Sequence, residues 1–206
     1  CARHAFVNAG QVCISCQRVY VSRSIYDAFC AAAVEAAANF RSGDLMDVHT
    51  QIGPMIAERE AERIEAWVHE AEAAGARVLT GGTRRGAFYA PTVLTDVTPA
   101  MKVVSEETFA PVFSIIPYDT IEEAVRMAND TRYGLQAGVF TRSLAVANYC
   151  AENLEVGGVI IGDGATFRMD NMPYGGVKDS GIGREGPAYA IRELTEEKLI
   201  VLNVEG

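Results

Sequence analysis

No run in the chain approaches 18 consecutive apolar residues, which argues against a membrane-spanning helix. No secretory leader is recognisable, and none is expected in the folded protein. Positive charge is in short supply: 18 Lys and Arg face 27 Asp and Glu, for a net charge of −9. Nucleic acid or an anionic membrane as partner would demand a basic face, so neither is expected. Cys1, Cys13, Cys16, Cys30 and Cys150 are odd in number and lack a disulfide-framework spacing, which favours a reducing cytoplasm. There is no internal repeat and no low-complexity tract. The first residue is not Met, so the natural N-terminus is expected upstream of Cys1.

What is present is ordinary globular material. A chain of 206 residues that is 49% hydrophobic and 22% charged can bury roughly 70% of its unfolded surface, enough for one large domain or a domain with an appendage. Strand-like and helix-like segments alternate, which predicts an α/β fold with a largely parallel sheet and helices on both faces. Strands are expected at Arg18–Ser22, Arg77–Thr80, Thr92–Leu94, Val112–Tyr118, Gly138–Thr141 and Gly158–Ile161, the last completing the sheet. Ser24 is expected to cap a helix to about Arg41, with Ile25, Phe29, Ala33 and Ala37 on one face. A charged helix should run from about Ala57 to Ala74 and end at Gly75, with Ile64, Trp67 and Val68 inward. Its Glu58, Arg59, Glu62, Arg63 and Glu65 read as a solvated face with i,i+4 pairs. Residues 81–87 read as a flexible turn. Thr120 and Ser143 are placed to cap helices ending near Asn129 and Asn153.

The stretch Phe6-Val-Asn-Ala-Gly-Gln-Val-Cys13 carries the chemistry. It lies between a short predicted helix, Ala2 to Ala9, and the strand that begins at Arg18. A thiol on a Gly-containing turn is accessible, and backbone N–H groups there can face whatever it attacks. A cysteine with a pKa of about 8.5 is only ~3% thiolate at neutral pH, and a two-unit shift raises that to roughly three quarters. The competing reading is a buried structural cysteine. Cys13-x-x-Cys16 also fits a redox pair, but such a site wants a strand before it and a helix after it, and here the order is reversed. Cys1-x-x-His4 with Cys13-x-x-Cys16 has the count of a zinc site, yet residues 2–9 read as helix rather than as a compact knuckle. No metal is expected.

Residues 162–186 form a long Gly-rich irregular segment, longer than an ordinary connection and so expected to be functional or packed on a partner. Gly181-Ile-Gly183-Arg-Glu-Gly186 inside it fits G-x-G-x-x-G literally. A dinucleotide fingerprint must directly follow a buried strand, and Tyr174 to Ser180 cannot make one. Near the end, a helix over about 187–193 precedes an apolar strand, Lys198–Val204. Leu199-Ile200-Val201-Leu202 is apolar on both faces, so it either pairs with something outside this segment or lies centrally in the domain's own sheet.

Three stretches in one order resemble the NAD(P)-dependent aldehyde dehydrogenase family. They are Phe6-x-Asn8-x-Gly10-Gln11-x-Cys13 with Arg18, Glu106-Glu107-Thr108-Phe109-Ala110-Pro111-Val112, and Pro173-Tyr174-Gly175-Gly176-Val177-Lys178-Asp179-Ser180-Gly181-Ile182-Gly183-Arg184-Glu185-Gly186. The likeness runs through the whole chain, with Ala110 where the family usually has Gly. It implies a catalytic domain over 1–186 and a C-terminal helix and oligomerisation strand over 187–206. The N-terminal NAD(P)-binding domain would be absent from this chain, so the segment alone should not turn over.

The implied reaction is oxidation of an aldehyde to a carboxylic acid through a Cys13 thiohemiacetal and thioester, with NAD or NADP as cofactor. Glu107 and Phe109 match the positions that touch the nicotinamide ribose and ring, with Glu106 as the register alternative. The base glutamate and the oxyanion asparagine of the family would lie upstream. Phe167-Arg168-Met169-Asp170 resembles the branch that includes non-phosphorylating glyceraldehyde-3-phosphate and lactaldehyde dehydrogenases. Arg168 could clamp an anionic group on a small aldehyde or pair structurally with Asp170. The C-terminal strand looks like the family's inter-subunit arm, implying a dimer or tetramer. The alternatives are a CoA-acylating relative and a non-catalytic C-x-x-C redox module.

Overall fold

The computed structural model describes residues 1–204. Among these residues there are eight strands: β1 (Arg18–Ser22), β2 (Arg77–Thr80), β3 (Arg84–Arg85), β4 (Phe88–Tyr89), β5 (Thr92–Thr95), β6 (Val112–Tyr118), β7 (Gln136–Val139) and β8 (Gly158–Ile161). The helices are α1 (Ala2–Phe6), α2 (Tyr26–Ala38), α3 (Glu58–Ala73), α4 (Lys102–Ser105), α5 (Ile121–Asn129), α6 (Leu144–Asn153) and α7 (Pro187–Leu194).

The main sheet has the order β1-β6-β5-β2. β6 is central and parallel to both β1 and β5, while β2 is an antiparallel edge. Alternation along the central strands splits the core in two. Val93, Phe113 and Ile115 face α1 and α2, packing with Phe6, Ala33 and Ala37. Leu94 and Val112 face α3 and α4, packing with Ile64, Val68 and Val103. All of these large side chains are fully buried, each contributing roughly 1.5–3 kcal/mol. The expected α/β sheet covered by helices on both faces is therefore what forms.

Several local expectations are corrected. β8 does not complete the main sheet; it pairs with β7 alone, in parallel. Helix α2 begins only at Tyr26, after a 3₁₀ turn over Arg23–Ile25. The tighter turn carries Ile25 off the inner face, leaving it exposed, and Ser24 bonds Ser22 instead of capping the helix. Residues 84–89 are a small hairpin rather than a flexible turn, reversed at Gly86 (φ +59°). The acidic face of α3 explains the hairpin. Glu58 and Glu65 grip Arg84 at 3.0 and 2.8 Å, so these carboxylates reach across to another element instead of making i,i+4 pairs.

Thr120 and Ser143 do cap α5 and α6, accepting from the N–H groups of Glu123 and Val146. Beyond α7 the chain makes no strand among the described residues. Leu199 to Leu202 are largely exposed and do not lie in the domain's own sheet. The last two residues of the expected 187–206 unit fall outside the described residues. No helix among the described residues is long and apolar enough to cross a membrane.

Candidate active site

The turn that leads to Cys13 is built from three consecutive left-handed residues. α1 stops at Phe6, short of the expected Ala9, because Asn8 (φ +52°), Ala9 (φ +54°) and Gly10 (φ +70°) turn the chain the other way. Left-handed backbone is costly for a residue with a Cβ. Here it is locked by reciprocal side-chain bonds, Asn8 Nδ2 to Gln11 O at 3.1 Å and Gln11 Nε2 to Asn8 O at 3.2 Å. Gly10 has a second constraint: a methyl group on it would lie 2.0 Å from the Ala110 carbonyl oxygen. The turn thus packs backbone to backbone against the residue that follows Phe109.

Beyond that turn Cys13 is exposed. It opens onto a cleft of about 460 Å³ whose walls include Leu135, Tyr174, Gly181, Arg184 and Glu193. The Tyr174 hydroxyl lies 2.7 Å from Cys13 Sγ. Tyr174 is itself buried, and burial together with the adjacent sulfur pushes its phenol upward, which keeps it a hydrogen-bond donor. Arg168 stacks on the same ring, 4.2 Å from its centroid, and its Nη2 pairs with Glu185 at 3.1 Å. The carboxylate partner of Arg168 is therefore Glu185 and not Asp170.

The Gly-rich segment that carries Tyr174 is pinned from several directions. Tyr174 and Glu185 form an antiparallel bridge, and Arg184 Nη1 donates to the carbonyls of Gly176 and Gly183, both at 2.8 Å. Lys178 Nζ donates to Asn129 O and pairs with Glu155 at 2.7 Å. A 3₁₀ turn over Lys178–Ser180, not a strand, precedes the 181–186 glycines. The glycine run therefore lacks the buried strand that a dinucleotide fingerprint requires.

Glu107 and Phe109 do not line that cleft; they are exposed on either side of buried Thr108, on the loop that runs to Ala110 and so to the contact with Gly10. Phe109 has a left-handed backbone (φ +41°). Glu106 is occupied, its carboxylate 2.6 Å from Arg132. Glu107 makes no hydrogen bond or ion pair among the described residues, so of the two it is the carboxylate available to a ligand. Cys16 packs against the core beneath α1 and α2, and burial pushes its thiol up to about 11. An inert partner of that kind suits neither thiol–disulfide exchange nor metal ligation. No group of three His, Cys, Asp or Glu among the described residues could hold a metal ion.

Sequence reasoning named Cys13, Glu107, Phe109 and Arg168 but gave Tyr174 no role of its own. The available signal was a phenol, in place of a purely apolar ring, inside a glycine-rich segment.

The sequence model of the aldehyde dehydrogenase family matches residues 1–200. The chain belongs to the aldehyde dehydrogenase family. Among its curated relatives, 3-sulfolactaldehyde dehydrogenase of Priestia aryabhattai is 52% identical over 203 residues, covering 98% of this chain and 43% of the relative. Lactaldehyde dehydrogenase of Methanococcus aeolicus is 41% identical over 205 residues, covering 100% and 44%. Two solved structures superpose closely. Aldehyde dehydrogenase 21 of Physcomitrella patens, in complex with succinate, gives a TM-score of 0.95 at 45% identity, over 99% of this chain and 43% of that one. Glyceraldehyde-3-phosphate dehydrogenase GapN of Methanocaldococcus jannaschii, complexed with NADP, gives 0.90 at 43% identity, over 93% and 42%. This aldehyde dehydrogenase chain thus spans less than half the length of the relatives it matches.

Proposed function

We propose that the protein to which this chain contributes oxidises a small anionic aldehyde to the acid, with Cys13 as nucleophile and NAD or NADP as oxidant. The observation that carries the reading is an exposed sulfur at the mouth of an open cleft with a phenol hydroxyl 2.7 Å away. The Cys13 thiolate adds to the carbonyl carbon, and the carbonyl oxygen takes the negative charge. In this reading the Cys13 N–H donates to that oxygen. Loss of hydride from the former aldehyde carbon leaves a thioester on Cys13, and attack by water releases the acid and regenerates the thiol. The dinucleotide, when bound, supplies the hydride acceptor.

Glu107 and Phe109 fit the cofactor: one offers a carboxylate with no competing partner and the other a ring face 40% exposed. In this reading Glu107 accepts from ribose hydroxyls and Phe109 packs on the ring. Arg168 supports the substrate class. Its guanidinium sits one side chain away from the sulfur, and Glu185 is a partner that a substrate sulfonate, phosphate or carboxylate can replace. The name of the Priestia relative is in keeping with this, since sulfolactaldehyde carries such a group. Residues 1–186 would form the catalytic unit, and 187–206 would provide the arm through which subunits associate. The exposed Leu199 to Leu202 supports that association. Five free cysteines are in keeping with the cytoplasm.

The test is Cys13→Ser in the full-length enzyme, assayed against an anionic aldehyde with each dinucleotide. Activity is expected to fall by about a thousandfold or more while dinucleotide affinity is kept. Retained turnover would exclude this nucleophile.

A further inference from the structure

The residues proposed to meet the dinucleotide sit on a short loop with no sheet partner, since β6 begins only at Val112. Something else must set its shape, and one side chain reaches it from the nucleophile segment. Gln17 lies four residues after Cys13, immediately before β1. Its Nε2 donates to Glu106 O at 2.6 Å and to Val103 O at 3.1 Å, and its Oε1 accepts from Thr108 N–H at 3.2 Å. Two carbonyls and one N–H fix which way the amide faces and occupy both of its donors and its acceptor.

These bonds bracket Glu107: the carbonyl before it and the N–H after it are held by the same group. From α3, Arg63 Nη2 donates to Thr108 O at 2.7 Å, its guanidinium steadied by Glu60 at 2.8 Å and by the Trp67 ring. The backbone of Gln17 is equally fixed, its carbonyl accepting from Ser114 N–H at 2.8 Å.

We propose that Gln17 is a positioning residue that sets Glu107 and Phe109 in register with Cys13. Hydride loss requires reacting atoms within about 3–3.5 Å, and a misplacement of about 1 Å can cost a hundredfold. A loop held only by its neighbours in sequence would not keep that tolerance. The Gln17 amide transfers the frame of the Cys13 segment onto residues 91 positions further along the chain. The inference rests on the reading that Glu107 and Phe109 contact the cofactor.

The experiment uses the full-length enzyme with Gln17→Met, which keeps the volume and removes the amide, and Gln17→Glu, which keeps only the acceptor. Hydrogen exchange at the Thr108 amide, measured without dinucleotide, should speed up by about tenfold or more in Gln17→Met and be partly restored in Gln17→Glu. NAD and NADP should bind about tenfold more weakly by calorimetry, and KM for the dinucleotide should rise in step. Alkylation of free Cys13 by iodoacetamide should be unchanged, whereas a general loosening would alter it too.

Unchanged Thr108 exchange and dinucleotide affinity in folded Gln17→Met overturns the proposal. If that variant does not fold, unchanged affinity in Gln17→Glu does so. Glu107→Gln separates the two readings. If it weakens dinucleotide binding and the Gln17 variants do not, only the positioning role falls. If it too is neutral, the cofactor reading falls and Thr108 exchange alone decides the role of Gln17.

Discussion

The hydroxyl of Tyr174 meets the sulfur of Cys13 at 2.7 Å across 161 residues of sequence. A phenol that burial keeps protonated donates to sulfur more strongly once the sulfur is charged. One such bond is worth about 1–1.5 kcal/mol, close to tenfold in rate. Tyr174→Phe in the full-length enzyme is therefore expected to slow Cys13 alkylation at neutral pH by about five- to tenfold and to lower kcat/KM similarly. Equal alkylation rates in the two proteins would mean the hydroxyl contributes nothing to the reactivity of Cys13.

Arg168 lies against that ring and, among the described residues, is countered by an exposed carboxylate, Glu185. Arg168→Ala should cut kcat/KM for an anionic aldehyde by about 10²-fold through loss of a charge-assisted pair. A neutral aldehyde of similar size should lose only a few-fold. Equal losses on both would assign Arg168 to packing Tyr174 instead.

Gly10→Ala should be severe. The added methyl would lie 2.0 Å from the Ala110 carbonyl oxygen, at a left-handed φ. A loss of about 3 kcal/mol or more is expected by denaturant unfolding. A loss below about 1 kcal/mol would show that the Ala110 backbone gives way easily.

Cys16 makes stability depend on alkaline pH. Its thiol is pushed by burial from 9.0 to about 11 in the folded protein. Between those values the unfolded chain has released its proton while the folded chain retains it, so stability falls as pH rises. The loss is at most about 2–3 kcal/mol by pH 11. Thermal unfolding of Cys16→Ala should lack this component, and a wild-type difference that stays flat from pH 9 to 11 would refute it.

Much of this molecule could be read from local pattern. Thr120 and Ser143 announce their helices because a cap needs only a hydroxyl and an N–H three residues on. The buried strand Val112–Tyr118 shows in its apolar run. Cys13 stands out as a candidate only when its Gly-containing turn is joined to the family resemblance, and the left-handed Asn8–Ala9–Gly10 geometry does not show at all, since nothing in Asn-Ala-Gly forbids another helical turn. The exclusion of β8 from the main sheet was illegible because strand partners are set by tertiary contacts. For the same reason Arg168 could be given Asp170, its near neighbour, when the fold brings it Glu185. Tyr174 escaped notice because its partner is far off in sequence, and Gln17 because an amide beside a nucleophile looks like filler until its three partners are seen.

The contact between Gly10 and Ala110 leaves no slack for even one carbon atom. Laboratory evolution of this scaffold should therefore find position 10 nearly immutable. Tolerance should gather instead at residues such as Ile182 and Met169, whose side chains face open water.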